Sequence, residues 1–147
     1  MNLSGSCLCG AVTYACSSPA VLSGNCHCLD CKKASGSGYV PVFFVAENAI
    51  TIRGEVKWYE HAGASGKPVR RGFCPHCGSQ MFGKPAAMPK LIGVRAGSLD
   101  DPAQYEPQVD IYTSRAPTWD CMDPALPKFA EMPPMQEPVQ QGVPKTD

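Results

Sequence analysis

The sequence lacks three features that would point to a large charged partner or a lipid partner. Its 13 basic and 13 acidic residues cancel, so no long-range electrostatic field draws the protein towards nucleic acid or an anionic membrane. It contains no run of about 18 apolar residues, and its first residues include neither the basic stretch nor the apolar core of a secretion signal. We therefore expect a cytoplasmic protein with no nucleic acid partner and no membrane partner.

Long helices are also not expected, because 15 prolines and 14 glycines interrupt the 147 residues. Short segments of apolar and β-branched residues predict instead a mainly β protein with antiparallel sheets. The length suits one hydrophobic core. We place a single domain at residues 1–133 and an irregular, proline-rich tail at residues 134–147.

The strand pattern makes several specific predictions. Strands are expected at 11–16, 21–25, 39–45, 50–53, 56–61, 69–73, 79–82, 91–96 and 109–112, with a short helical turn at 29–34. Because side chains alternate in a strand, Cys16 shares a face with Val12 and Tyr14 and is predicted to lie in the core. Pro41 predicts an edge or a bulge for its strand. The strands at 50–53, 56–61 and 69–73 are predicted to form a meander.

The nine cysteines are an odd number gathered at metal-type spacings, which in a reducing compartment predicts metal thiolates and not disulfides. The segment from Cys26 to Cys31 carries three thiols within six residues. A structural zinc site takes four ligands, so this triplet predicts an open site where chemistry takes place. The alternative is that a distant cysteine or histidine closes the site and makes it a structural staple.

Two further cysteine pairs, Cys7 with Cys9 and Cys74 with Cys77, predict a closed four-thiolate zinc site. Together with the triplet Cys26, Cys28 and Cys31, this partition uses every clustered thiol. Other partitions would recruit His27, His76 or Cys121 as a ligand. The cations Lys32, Lys33, Arg70 and Arg71 are candidates for binding the carboxylates of an acidic ligand, although such residues are more often solvated surface.

Three motifs together resemble those of the glutathione-dependent formaldehyde-activating enzyme family, also called the centromere protein V family. They are Gly5-Ser6-Cys7-Leu8-Cys9-Gly10, the segment from Cys26 to Gly36, and the segment from Phe73 to Ser79. Ser114-Arg115-Ala116-Pro117 is similar to the family's signature near the C-terminus, which extends the resemblance to roughly residues 4 to 133. Thr118 departs from the pattern, because the family commonly runs directly from proline to tryptophan.

The resemblance implies antiparallel sheets of the β-tent type, stapled by zinc-cysteine sites. It also implies two zinc ions per chain: a structural zinc held by Cys7, Cys9, Cys74 and Cys77, and a second, more labile zinc at Cys26, Cys28 and Cys31. The family is named for joining glutathione to formaldehyde to give S-hydroxymethylglutathione.

Two functions are therefore weighed. The first is a zinc-dependent carbon-sulfur lyase that joins a small thiol, similar to glutathione, to formaldehyde or a similar aldehyde, with Cys26, Cys28 and Cys31 as the catalytic centre. Three thiolates around zinc favour a fourth sulfur ligand over hydroxide, which supports thiol chemistry. The second is a non-enzymatic zinc module that binds or carries a thiol or a protein partner. The proton donor is left open between water and His27.

Overall fold

The structure is a computed structural model that describes residues 2–134. Within that range it contains ten strands, one short α-helix and four short 3₁₀ segments. They are β1 (Ser4–Ser6), β2 (Thr13–Cys16), β3 (Leu22–Cys26), α1 (Leu29–Ser35), β4 (Val40–Ala46), 3₁₀ Glu47–Ala49, β5 (Ile50–Arg53), β6 (Lys57–Ala62), β7 (Pro68–Phe73), β8 (Gln80–Pro85), β9 (Leu91–Arg95), 3₁₀ Ala96–Ser98, 3₁₀ Pro102–Gln104, β10 (Val109–Ile111) and 3₁₀ Thr113–Arg115.

The strands form two sheets, which confirms the predicted mainly β fold. A three-stranded sheet has the order β1-β2-β5, and a seven-stranded sheet has the order β10-β3-β4-β9-β8-β7-β6. All pairings are antiparallel except that of β10 with β3, which is parallel and aligns Ile111 with Cys26. The large sheet is therefore mixed, and its parallel pair lies beside the cysteine triplet.

Strand β4 is central, and both of its faces are buried. Phe43 and Val45 point into the main hydrophobic core, whereas Val42 and Phe44 belong to a second cluster that includes Cys26. The edge position predicted from Pro41 is wrong, because β4 pairs with β3 on one side and β9 on the other. Pro41 is tolerated because the pairing with β9 begins only at the next residue, Val42.

The predicted meander is also only partly correct. Strands β6, β7, β8 and β9 do run as an antiparallel meander. Strand β5 instead joins the small sheet, where Ile52 pairs with Tyr14 of β2. The 3₁₀ segment Glu47–Ala49 between β4 and β5 accompanies this change of sheet. Cys16 is 1% exposed and lies in the main core, as predicted.

After β10 the chain continues to residue 134 mainly without regular secondary structure, and it packs back on the domain. The amide of Asp110 donates to Pro127, and Phe129 donates to Asp110. The predicted tail at 134–147 lies outside the described residues except for Pro134. Within residues 2–134 no helix has the length and apolar character needed to cross a membrane.

Candidate metal centres and the adjoining cavity

Four sulfur atoms, from Cys7, Cys9, Cys74 and Cys77, lie within 4.8 Å of one another. The Cys7–Cys9 and Cys9–Cys74 sulfur distances are 3.6 and 3.8 Å. Zinc–sulfur bonds of about 2.3 Å in a tetrahedron place the sulfurs about 3.8 Å apart. The donor atoms and their spacing therefore fit a closed zinc site.

Two turns present these sulfurs. Cys7 and Cys9 lie between β1 and β2, and Cys74 and Cys77 lie between β7 and β8. Ser79 joins the two turns, because its hydroxyl accepts from the amide of Leu8 at 3.0 Å and lies 3.1 Å from the Cys77 sulfur. Hydrogen bonds from Ser79 lower the pKa of Cys77 to about 5, which suits a thiolate ligand.

The triplet is assembled where β3 ends and α1 begins. Cys26 is the last residue of β3, Cys28 is the N-cap of α1, and Cys31 lies in the helix. The Cys28 sulfur accepts from the Cys31 amide at 3.2 Å, and the Cys31 and Cys26 sulfurs are 3.6 Å apart. All three sulfurs lie within 4.8 Å of one another. They fit three corners of a zinc site, and no fourth cysteine, histidine or carboxylate among residues 2–134 joins the cluster.

The neighbours of the three thiols shift the pKa values of Cys31 and Cys26 in opposite directions. Contacts with Cys26 and Cys28, together with the positive charges of Arg95 and Arg71, lower the pKa of Cys31 to about 2. The same contacts with Cys28 and Cys31 raise the pKa of Cys26. The thiolate of Cys31 is therefore the one that faces the arginines.

A cavity of about 230 Å³ adjoins the triplet, and all three cysteines line it. Most of its wall is apolar, with side chains that include Val42, Phe44, Val69, Met88, Ile111 and Met132. Its charged non-cysteine residues are Asp30, Arg71 and Arg95. The triplet thus faces a small, largely apolar chamber.

Arg71 connects the triplet to the rim of this cavity. It is buried, and both terminal guanidinium nitrogens lie 3.8 Å from the Cys31 sulfur. Its Nε donates to His61 Nε2 at 2.8 Å. His61 Nδ1 in turn lies 3.0 Å from the Ala62 carbonyl and 4.0 Å from Asp30 Oδ2.

Of the four candidate cations from the sequence, only Arg71 reaches the cavity beside the triplet. Lys32 is partly buried and donates to the carbonyl of Arg115. Lys33 lines a separate surface groove, and Arg70 lies over Trp58 with its guanidinium carbon 5.0 Å from the ring centroid. Arg95 was not among the sequence candidates.

The one pattern in the sequence that bears on Arg95 is strand alternation, which places it on the same face of β9 as Gly93. Gly93 pairs with Gly83, and Gly83 pairs with Arg71, so Arg95 and Arg71 share one face of the large sheet.

His27 is not available as a ligand or as a proton donor in the cavity. It is 1% exposed, with Nδ1 2.5 Å from Asp120 Oδ2 and Nε2 3.1 Å from Asp110 Oδ1. Both ring nitrogens are therefore committed to carboxylates, and the His27 alternatives considered from the sequence are wrong. His76 and Cys121 are exposed and belong to neither sulfur cluster.

Comparison with known proteins adds three findings. A family model described as glutathione-dependent formaldehyde-activating enzyme matches residues 2–115. A Halomonas elongata protein named "Putative glutathione-dependent formaldehyde-activating enzyme" is 30% identical over 126 residues, covering 81% of this chain and 80% of that protein. The crystal structure of a Rhodobacter sphaeroides protein is similar in fold, with a TM-score of 0.53, 20% identity, and coverage of 66% of this chain and 87% of that one.

Proposed function

Because the chain belongs to the glutathione-dependent formaldehyde-activating enzyme family, we propose that it is a zinc-dependent carbon-sulfur lyase that joins a small thiol to formaldehyde or a similar aldehyde. The observation that carries this proposal is that the three clustered sulfurs of Cys26, Cys28 and Cys31 line a cavity. Glutathione, taken from the family description, is the first thiol to test.

The two sulfur clusters would hold two zinc ions with different roles. Cys7, Cys9, Cys74 and Cys77 provide all four ligands of a structural site, whereas the triplet leaves one position for a substrate. Zinc bound by three thiolates supplies a soft Lewis acid that holds a fourth sulfur and lowers the pKa of that thiol.

The remaining chemistry falls to side chains of the cavity. The carbon-sulfur bond forms between the thiol sulfur and the carbonyl carbon, the carbon-oxygen double bond becomes single, and the thiol proton ends on the oxygen. Asp30 is the only carboxylate among the cavity-lining residues within 2–134, and we assign it the transfer of that proton. The apolar wall excludes water, and the Arg71 guanidinium stabilises negative charge on sulfur.

The test is the rate at which the protein exchanges free and hydroxymethylated thiol. Formaldehyde labelled with ¹³C and glutathione equilibrate without a catalyst, so magnetisation-exchange NMR measures the acceleration caused by the zinc-loaded protein. We expect acceleration for the natural chain and for the control Cys121→Ser, whose thiol is exposed and outside both clusters. Cys28→Ser should lose it.

The outcomes separate the two candidate functions. If exchange stays at the uncatalysed rate while the protein binds a thiol in a way that depends on Cys28, the non-enzymatic carrier replaces the lyase as the supported function. A protein that neither accelerates exchange nor binds any thiol would contradict both the lyase and the thiol carrier.

A further inference from the structure

Arg95 is the charged residue of the cavity whose side chain has neither a hydrogen bond nor an ion pair within residues 2–134. Arg71 contacts Cys31 and His61, and Asp30 lies 4.0 Å from His61. For Arg95, no hydrogen bond or ion pair joins the guanidinium to any other residue within 2–134. Burial lowers the pKa of Arg95, but an arginine stays protonated in proteins. A partly buried cation with free donors is costly unless an anion meets it.

Two glycines form the part of the sheet next to Arg95. Gly83 and Gly93 pair directly across β8 and β9, so the sheet has no side chains at this point. A Cβ atom added to Gly83 would lie 3.6 Å from a terminal guanidinium nitrogen of Arg95. The guanidinium therefore lies over Gly83 and lines the cavity, whereas Phe44 and Val42 cover Gly93.

The two arginines of the cavity differ in their contact with the triplet. Arg71 has both terminal guanidinium nitrogens 3.8 Å from the Cys31 sulfur, whereas Arg95 acts on that sulfur only through its charge at longer range. No cysteine sulfur within residues 2–134 lies within hydrogen-bonding distance of Arg95, so its donors are free to bind an oxygen anion.

The size and polarity of the cavity restrict what can carry this anion. Its volume of about 230 Å³ lies below the roughly 300–1,000 Å³ typical of pockets for drug-sized ligands. Apart from the arginines and Asp30, the wall offers mainly aliphatic and aromatic carbon. A tripeptide thiol with two carboxylates and an ammonium group would leave polar groups unpaired against that wall.

We propose that the preferred thiol is a compact mercaptocarboxylic acid whose carboxylate is bound by Arg95 and whose carbon chain lies against Val42, Phe44 and Met88. This inference rests on the proposed function, because it takes the thiol sulfur to reach the cysteine triplet. It makes Arg95 the residue that determines specificity for the thiol.

The test compares three thiols on protein in which cobalt replaces zinc, where coordination of a thiol changes the sulfur-to-metal charge-transfer absorption. The probes are 3-mercaptopropionate, its methyl ester, which has a thiol but no charge, and glutathione. We expect the acid to bind about 10-fold or more tightly than the ester, and more tightly than glutathione.

Three variants locate the effect. Arg95→Gln should weaken binding of the acid by about 10- to 100-fold and change binding of the ester by less than about 2-fold. Unchanged ester binding also shows that the variant is folded. Arg95→Lys should restore part of the preference, because it returns the charge without the planar fork. The control Arg70→Gln removes a cation from the opposite face of β7 and should have no effect.

Several results would overturn this inference while leaving the proposed function intact. They are equal binding of acid and ester by the natural chain, tighter binding of glutathione than of the acid, and equal weakening of acid and ester in Arg95→Gln. The last result would mean that Arg95 serves the sulfur and not a carboxylate. If no thiol changes the spectrum, the proposed function fails first.

Discussion

Replacing one cysteine from each sulfur cluster should separate the site that supports the fold from the site that supports the chemistry. Cys74 is fully buried in the main core, and its sulfur lies 3.8 Å from that of Cys9, which is 65 residues away in the chain. Cys31 is also buried, but its partners Cys26 and Cys28 are its sequence neighbours. We therefore compare Cys74→Ser with Cys31→Ser.

The magnitude for Cys74→Ser follows from the chain that the cluster closes. A crosslink across 65 residues stabilises a fold by about 4 kcal/mol through loop entropy. An unpaired serine hydroxyl in the core costs about 1–3 kcal/mol more. The combined loss of about 5–7 kcal/mol matches the whole stability of many domains, about 5–15 kcal/mol. We expect the melting midpoint to fall by about 15 °C or more, or the protein to fail to fold.

Cys31→Ser should cost much less. The segment that it closes is short and is already ordered by β3 and by α1, whose N-cap is Cys28. The loss is about 1–3 kcal/mol, from burying a hydroxyl and from removing the sulfur contact of Arg71. This corresponds to a fall in the melting midpoint of about 3–9 °C.

Circular dichroism melting with zinc present gives the melting midpoint of both variants, and native mass spectrometry counts the zinc ions that each retains. Cys121→Ser is the control, because its thiol is exposed and outside both clusters. If Cys31→Ser lowers the melting midpoint as much as Cys74→Ser, the triplet is a structural site. The cavity chemistry then loses its main support.

Three further predictions concern metal, proton transfer and the buried histidine. Purified protein should carry about two zinc ions. A colorimetric chelator should remove the ion of the triplet first, because that site has an open position. Release of zinc in a single phase would argue against two kinds of site. Asp30→Asn should lower kcat by about 10²-fold or more with little change in KM, and an unchanged kcat would remove Asp30 from the mechanism. His27→Leu leaves Asp110 and Asp120 without their shared partner. It should lower the free energy of unfolding, measured by urea denaturation, by about 3–5 kcal/mol. An unaltered urea midpoint would show that the carboxylates find other partners.

Features that depend on neighbouring residues were predicted well. Apart from β1, which was not predicted, strand and helix positions were close to those observed, and β5 has the predicted bounds. Cys16 was placed in the core from alternation alone, and it is buried there with Val12 and Tyr14. Alternation succeeds because the strand period of two assigns every second side chain to the same face.

Errors arose where the place of a strand in a sheet depends on which other strands it pairs with. Pro41 looked like an edge residue, yet β4 is central because its pairing with β9 starts one residue later. Strand β5 looked like part of the meander, yet it pairs with β2 in the other sheet. A local pattern cannot identify a strand's neighbour, since that neighbour is chosen by contacts between distant segments.

The cysteine spacings favoured a set of four thiols and a set of three while leaving other partitions open, and the structure brings together the sulfurs of these same two sets. The surroundings of the set of three depended on packing. Adjacent Arg70 and Arg71 are equivalent in the sequence, but the register of β7 against β8 turns only Arg71 towards the cavity. Arg95 comes from β9, more than sixty residues after the triplet, and reaches it only because β9 lies beside β4. Local chain geometry groups the three sulfurs of the triplet, whereas the four-sulfur cluster and the cavity exist only once distant strands have paired.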